Sequence, residues 1–165
     1  MKLQEFNIEF SQKMAELKEM LASDALKTII GVEAVNHFKE SFANEGFTSD
    51  KLEKWKEVQR RNPESPWYGH SGQLSAFSQS RTLAKILSGE TGELQNSIRY
   101  VSITNGVRIV NATPYAAVHQ FGLPAKVYGK KEFVMPARPF MGASPILQKN
   151  IQEKIEREIN KILKK

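Results

Sequence analysis

The tetrapeptide Gly69-His70-Ser71-Gly72 sets a hydroxyl beside an imidazole between two glycines, the ingredients of a nucleophilic serine with a base in reach. The elbow that exposes such a serine reads Gly-x-Ser-x-Gly and follows a strand. Its second glycine would stand at 73, where Gln73 is found, and no strong strand run precedes it. A polar glycine turn accounts for the segment, and a hydrolase built on Ser71 with His70 or His119 is a distant third reading. The three histidines, His37, His70 and His119, lie 33 and 49 residues apart, which matches no metal-ligand spacing, and no His-Glu-x-x-His occurs. His119 falls one helical turn after Tyr115, where a packed or hydrogen-bonded pair is the ordinary expectation. Gly129-Lys130-Lys131 looks like the end of a phosphate loop, but the earlier glycine of that loop would be at 124, which is Pro124. No catalytic residue, cofactor site or metal ligand is assigned, and the chain reads as a non-enzyme.

Charge is the next source of chemistry. The net charge is +6, and its distribution is uneven: residues 1–50 carry 5 Lys+Arg against 9 Asp+Glu, residues 51–100 carry 8 against 5, and residues 101–165 carry 11 against 4. An acidic first third therefore faces a basic last third. Nucleic-acid binders gather Arg and Lys around stacking aromatics, whereas here most basic residues are lysines scattered among glutamates on a terminal helix, as on a solvated helix face. Cysteine is absent, which removes disulfides and thiolate metal sites and fits a reducing cytoplasm. Neither a secretory signal nor an apolar run of membrane-spanning length is read, so no membrane association is expected.

The elements follow from periodicity. Phe10, Met14, Leu17 and Leu21 mark an amphipathic helix over 10–22. Ser23 and Asp24 break it and offer an N-cap. A second helix, 25–44, is apolar over a wide arc through Leu26, Ile29, Ile30, Val35, Phe38 and Phe42, despite Gly31, which costs about 1 kcal/mol relative to Ala. From 44 to 80 periodicity fades into an irregular excursion that still holds Phe47, Trp55 and Trp67. A short helix is expected at 82–87, ending at Gly89.

The sharpest local signal comes next: β-rich runs at 97–104 and 107–112 flank Asn105-Gly106, which predicts a two-residue hairpin pairing Val101 with Val110 and Ser102 with Ile109. Apolar residues on both faces place it in a covered sheet or at a subunit contact. Thr113-Pro114 opens a helix over 114–121 that stops at Gly122. Val127-Tyr128 and Phe133–Met135 form a possible second hairpin. Ser144-Pro145 then starts a helix whose stripe of Ile146, Leu147, Ile151, Ile155, Ile159, Ile162 and Leu163 would contribute on the order of 10–20 kcal/mol gross if fully buried, so it must dock. The expected fold is α+β, one domain over 1–165, with an antiparallel sheet around the central hairpin packed by long N-terminal and C-terminal helices.

Four patches together resemble the phage virion morphogenesis family, the tail-completion proteins of Mu-like and related tailed phages and prophages. They are Phe38, Phe42, Gly46, Phe47 and Trp55; Ile86-Leu87 with Thr91-Gly92-Glu93-Leu94 and Ser97-Ile98; Tyr115-Ala116 with His119-Gln120 and Gly122; and Pro136-Ala137-Arg138-Pro139-Phe140 with Gly142. The stretch 62–79 is longer and more polar than the family pattern. The resemblance implies a structural protein of head–tail connection that acts as a ring in contact with other tail and neck proteins, in the bacterial host cytoplasm during assembly and then in the virion. Arg138, Phe140, Tyr115, His119 and Ile155 are the candidate subunit-contact residues, with an Arg138–carboxylate pair inside its own subunit as the equal alternative. The rival from another class is a nucleic-acid-binding module using the basic last third, although direct DNA binding is not expected.

Overall fold

The computed structural model describes residues 3–70, 76–89, 91–127, 129 and 131–164. Helix α1 spans Leu3–Ala22 and α2 spans Ala25–Asn44. Between them Ser23 is the capping side chain: its Oγ accepts from the Ala25 N–H (3.2 Å) and donates to the Met20 carbonyl (2.9 Å). Asp24 caps nothing and instead pairs with Lys27 at 3.1 Å. Helix α2 is the hub. Ala34, Phe38 and Phe42, at four-residue spacing, share one buried stripe with Gly31, His37 and Ser41. It ends at Glu45, whose left-handed backbone (φ 51°) is an uncommon conformation for a residue with a Cβ.

The excursion is not wholly irregular. Strands β1 (Gly46–Thr48) and β2 (Leu52–Lys54) pair antiparallel, Phe47 opposite Glu53, and a 3-10 turn follows at Gln59–Arg61. The next helix, α3, spans Gln79–Leu83 and lies ahead of the expected 82–87. Ala84 is already extended (ψ 135°) and Leu87 is left-handed (φ 58°), so the chain turns where the helix was expected to run. That turn buries Ile86. A single turn, α4 (Glu93–Asn96), starts at left-handed Gly92 (φ 65°) and delivers the chain into β3.

Strands β3 (Ile98–Ile103) and β4 (Gly106–Asn111) form the expected hairpin in a different register. Val101 faces Arg108 and Ser102 faces Val107, so the turn is Thr104-Asn105, and Gly106 joins the strand at a positive φ (157°) that L side chains rarely adopt. The slip moves each partner by two residues, which keeps every side chain on its expected face. One face packs on α2: Tyr100 lies over Gly31, where a Cβ would fall 2.5 and 2.7 Å from its ring carbons Cδ2 and Cδ1. The glycine that costs helix stability is what lets the ring approach.

Helix α5 covers Ala116–Phe121, two residues shorter at its start than expected, and stops at left-handed Gly122 (φ 67°). Strands β5 (Pro124–Val127) and β6 (Lys131–Val134) make the third hairpin, Ala125 opposite Phe133. Helix α6 (Pro145–Leu163) begins as expected, with Ser144 Oγ accepting from the Leu147 N–H (3.1 Å). The architecture is α+β, but among the described residues the single expected sheet is three separate two-stranded antiparallel sheets. Helix α2 carries β3–β4, α6 and β1, and α1 lies across α2 and α6. Of the α6 stripe only Leu147 is buried; Ile151, Ile155, Ile159 and Ile162 are half-buried. The core gathers Phe38, Phe42, Trp55, Ile86, Leu94, Ile98, Phe140 and Leu147. Among the described residues no helix is long and apolar enough to cross a membrane.

Candidate assembly surface

The loop Pro136–Gly142 is held on its inner side by residues of α2, the segment after β2, and α5. Phe140 has 0% exposure and packs its ring 5.4 Å from that of Phe42, which meets Trp55 edge-on at 5.5 Å. Trp55 Nε1 donates to the Pro139 carbonyl (2.6 Å), and Ser41 Oγ donates to the Phe140 carbonyl (3.3 Å). Gln120 is a three-point clamp: its Oε1 accepts from the N–H groups of Phe140 (3.0 Å) and Met141 (3.2 Å), while Nε2 donates to the Met141 carbonyl (2.6 Å). The Arg138 N–H bonds the His119 carbonyl at 2.7 Å. Gly122 fits against the same loop, where a Cβ would stand 2.9 Å from both the Ala137 nitrogen and the Met135 carbonyl oxygen.

Arg138 is 5% exposed, and its Nε and one terminal nitrogen both donate to the Lys56 carbonyl (3.1 and 3.0 Å). No carboxylate bonds it among the described residues, and its guanidinium donates inside its own chain. Burial lowers its pKa. Burial, with Arg138 nearby, also holds His119 below the ordinary imidazole value, and His119 Nδ1 has no hydrogen-bond partner. Tyr115 is partly exposed and meets His119 edge-on at 6.1 Å, the pair expected from their spacing. Its hydroxyl donates to Glu93 Oε2 (2.6 Å), which pushes its pKa up to about 12. Phe140 and Arg138 thus have almost no surface to offer a neighbour, while Tyr115, His119 and the half-buried Ile155 retain some.

A second polar knot ties the excursion to the turn before α4. Glu45 accepts from Arg61 and from the Ile86 N–H (2.7 Å), and the Arg61 bond above all lowers the Glu45 pKa. Arg60 donates to the carbonyls of Arg81, Ala84 and Lys85. These contacts hold the family-like Ile86-Leu87 segment against the end of α2.

The surface itself was not legible in the sequence. Phe121 (68% exposed) and Val134 (71%) stand out from α5 and β6, with Leu123 and Phe133 also exposed. Beside Phe121 an open groove of about 470 Å³ runs past Ala117, Gln120, Met141 and Gly142, with Phe140 among its lining residues. An apolar residue at a helix end has the same sequence signature whether it enters a core or leaves it. Only the loop packing in front of α5 shows that Phe121 points outward.

The charge asymmetry is met in part within the chain. Lys154 of α6 pairs with Glu33 of α2, and Lys13 donates to the Leu163 carbonyl (3.1 Å). Along α6, Lys161 pairs with Glu158 at 2.6 Å and Lys149 with Glu153 at 3.8 Å. Among the described residues no group of His, Asp or Glu could hold a metal ion. His37 bonds the Thr48 carbonyl (2.9 Å) and His70 lies edge-on to Phe77. Ser71, Gly72 and Lys130 fall outside the described residues.

No curated protein and no solved structure matches the chain. The phage virion morphogenesis family matches residues 55–160, which runs from the buried Trp55 through Arg60, Arg61 and the turn at Ile86 to all of β3–β6 and most of α6. The residues that lock the Pro136–Gly142 loop and the turn at Ile86 to the helical body lie mainly in that span, and the chain belongs to the phage virion morphogenesis family.

Proposed function

We propose that this protein completes the phage tail and connects it to the head as a ring of identical subunits, working through protein contacts without turnover. The observation that carries this reading is the projecting β5–β6 hairpin with its exposed apolar base. A two-stranded ribbon leaves its outer edges unpaired, and Phe121, Leu123 and Val134 around it expose apolar surface that a free subunit has no reason to keep in water. The stiff loop Pro136–Gly142 fixes how that hairpin is presented. A ring needs unlike patches of one subunit to fit each other, and a rigid projection beside a groove supplies that kind of asymmetry. The nucleic-acid reading loses support because Lys149 and Lys161 of the C-terminal helix pair with glutamates of the same helix and Lys154 pairs with Glu33 of α2.

The test is an assembly experiment in a phage or prophage whose copy of this gene is deleted. Filled heads and finished tails should accumulate unjoined, and adding the purified protein to the extract should join them. Joined particles in the absence of the protein would overturn the proposal. Substituting Phe121→Ser and Val134→Ser should abolish joining while leaving the melting temperature of the exposed-site variants within a few degrees of the native chain.

A further inference from the structure

We infer that the outer face of the β3–β4 hairpin receives the acidic edge of α1 from a second copy of this chain. The inference rests on the ring proposed above and names one of its contacts. On that face Arg99 stands opposite Val110 and Val101 opposite Arg108, with Ile103 beyond. Val101 and Ile103 are 44% and 41% exposed, and both arginines are exposed with no carboxylate partner among the described residues. Diagonal neighbours on one sheet face lie about 7–8 Å apart. Two uncompensated guanidinium groups at that spacing repel one another and flank a β-branched strip, an arrangement that gains from an anionic, partly apolar occupant.

Helix α1 has the complementary pattern. It packs against α2 and α6 through the side bearing Met14, Leu17 and Met20. At 100° per residue, Glu9, Gln12, Glu16 and Glu19 share an adjoining edge, with exposed Ile8 beside it. Glu9 also pairs with Lys13 of the same helix (2.7 Å), a surface pair that leaves half of the Glu9 side chain open to a neighbour. Glu16 and Glu19, three residues apart, lie about 5–6 Å from each other. The edge from Glu9 to Glu19 is about 15 Å long, and the strip from Arg99 to Ile103 is about 14 Å long. The two patches match in length and oppose in charge, and they sit on different elements, so the contact is heterologous and propagates from one copy to the next.

The experiment is charge reversal on the full chain, read by sedimentation velocity across a concentration series at low salt. Arg99→Glu with Arg108→Glu, and separately Glu9→Lys with Glu19→Lys, should each weaken self-association about tenfold or more. An equimolar mixture of the two variants should recover native association, because each junction then joins unlike charges again. Circular dichroism of each variant checks that the helices are intact. Variants that associate like the native chain, or a mixture that fails to recover, would overturn this contact while leaving the ring standing. A native chain that stays monomeric at every concentration would overturn the ring and the contact together. Duplex DNA binding that is lost on reversing Arg99 and Arg108, without any change in self-association, would reassign the face to a polyanion.

Discussion

Replacing Gly31 with alanine should destabilise the protein, against the rule for helices. In an open helix the change contributes about 1 kcal/mol of stability. Here the new Cβ would meet the root of the Tyr100 ring, 2.5 and 2.7 Å from Cδ2 and Cδ1 and closer still to Cγ. Those atoms cannot swing aside as a flexible chain end would, so the ring and β3 must move off α2. Overpacking costs about 1–3 kcal/mol, and a clash with the rigid root of the ring puts this site in the upper part of that range, about 2–3 kcal/mol. Set against the helix gain, the net loss is expected at about 1–2 kcal/mol, a fall in melting temperature of about 2–8 °C for a chain of this length. Urea denaturation and thermal melting measure it directly. In a Tyr100→Ala background the clash is absent, and Gly31→Ala should then stabilise by about 1 kcal/mol. A gain in the native background, or the same loss in both backgrounds, would refute the packing of the hairpin on α2.

Gln120→Ala removes three hydrogen bonds to the Phe140–Met141 loop and should cost about 2–4 kcal/mol in urea unfolding; an unchanged midpoint would show that the clamp is not needed. Because His119 in the folded chain has a pKa below 6.5, the unfolded chain takes up its proton first as the pH falls. The stability His119 contributes is therefore present above 6.5 and is lost as the pH drops through the lower folded-state value, and His119→Gln should flatten that part of the stability–pH curve. Ile155→Asp puts a charge into the half-buried seam of α6 and should lower stability by about 2 kcal/mol or more, whereas an unchanged melt would show the seam to be open to water.

Where the sequence was legible, local chemistry and tertiary packing pointed the same way. The bounds of α2 follow from its apolar arc, and α6 starts where the Ser144 cap and Pro145 require it. Where the structure departs, long-range bonds outweigh local preference. The segment 84–87 is not helical because Arg60 and Arg61 reach across from the 3-10 turn and occupy the carbonyls of Ala84 and Lys85. The three-residue strands β1 and β2 are too short to show alternation, and β2 is exposed along its length. Asn105-Gly106 marks the hairpin correctly but sets its turn one residue late, since Thr104-Asn105 turns and Gly106 already pairs with Ile103. For the candidate surface, the motif residues Arg138 and Phe140 carry the strongest sequence signal, yet they position the loop from inside. Their importance was visible; their direction depends on partners 82 residues away at Lys56 and 20 away at Gln120.

The central claim is that the protein works as a fixed part of the particle at the junction of head and tail. Electron microscopy of purified virions carrying a small electron-dense label on this protein tests it most directly. The account predicts label confined to the head-proximal end of the tail, at a constant number of copies per particle. Particles that are complete and infectious without the protein, or label scattered along the tail and head, would contradict it.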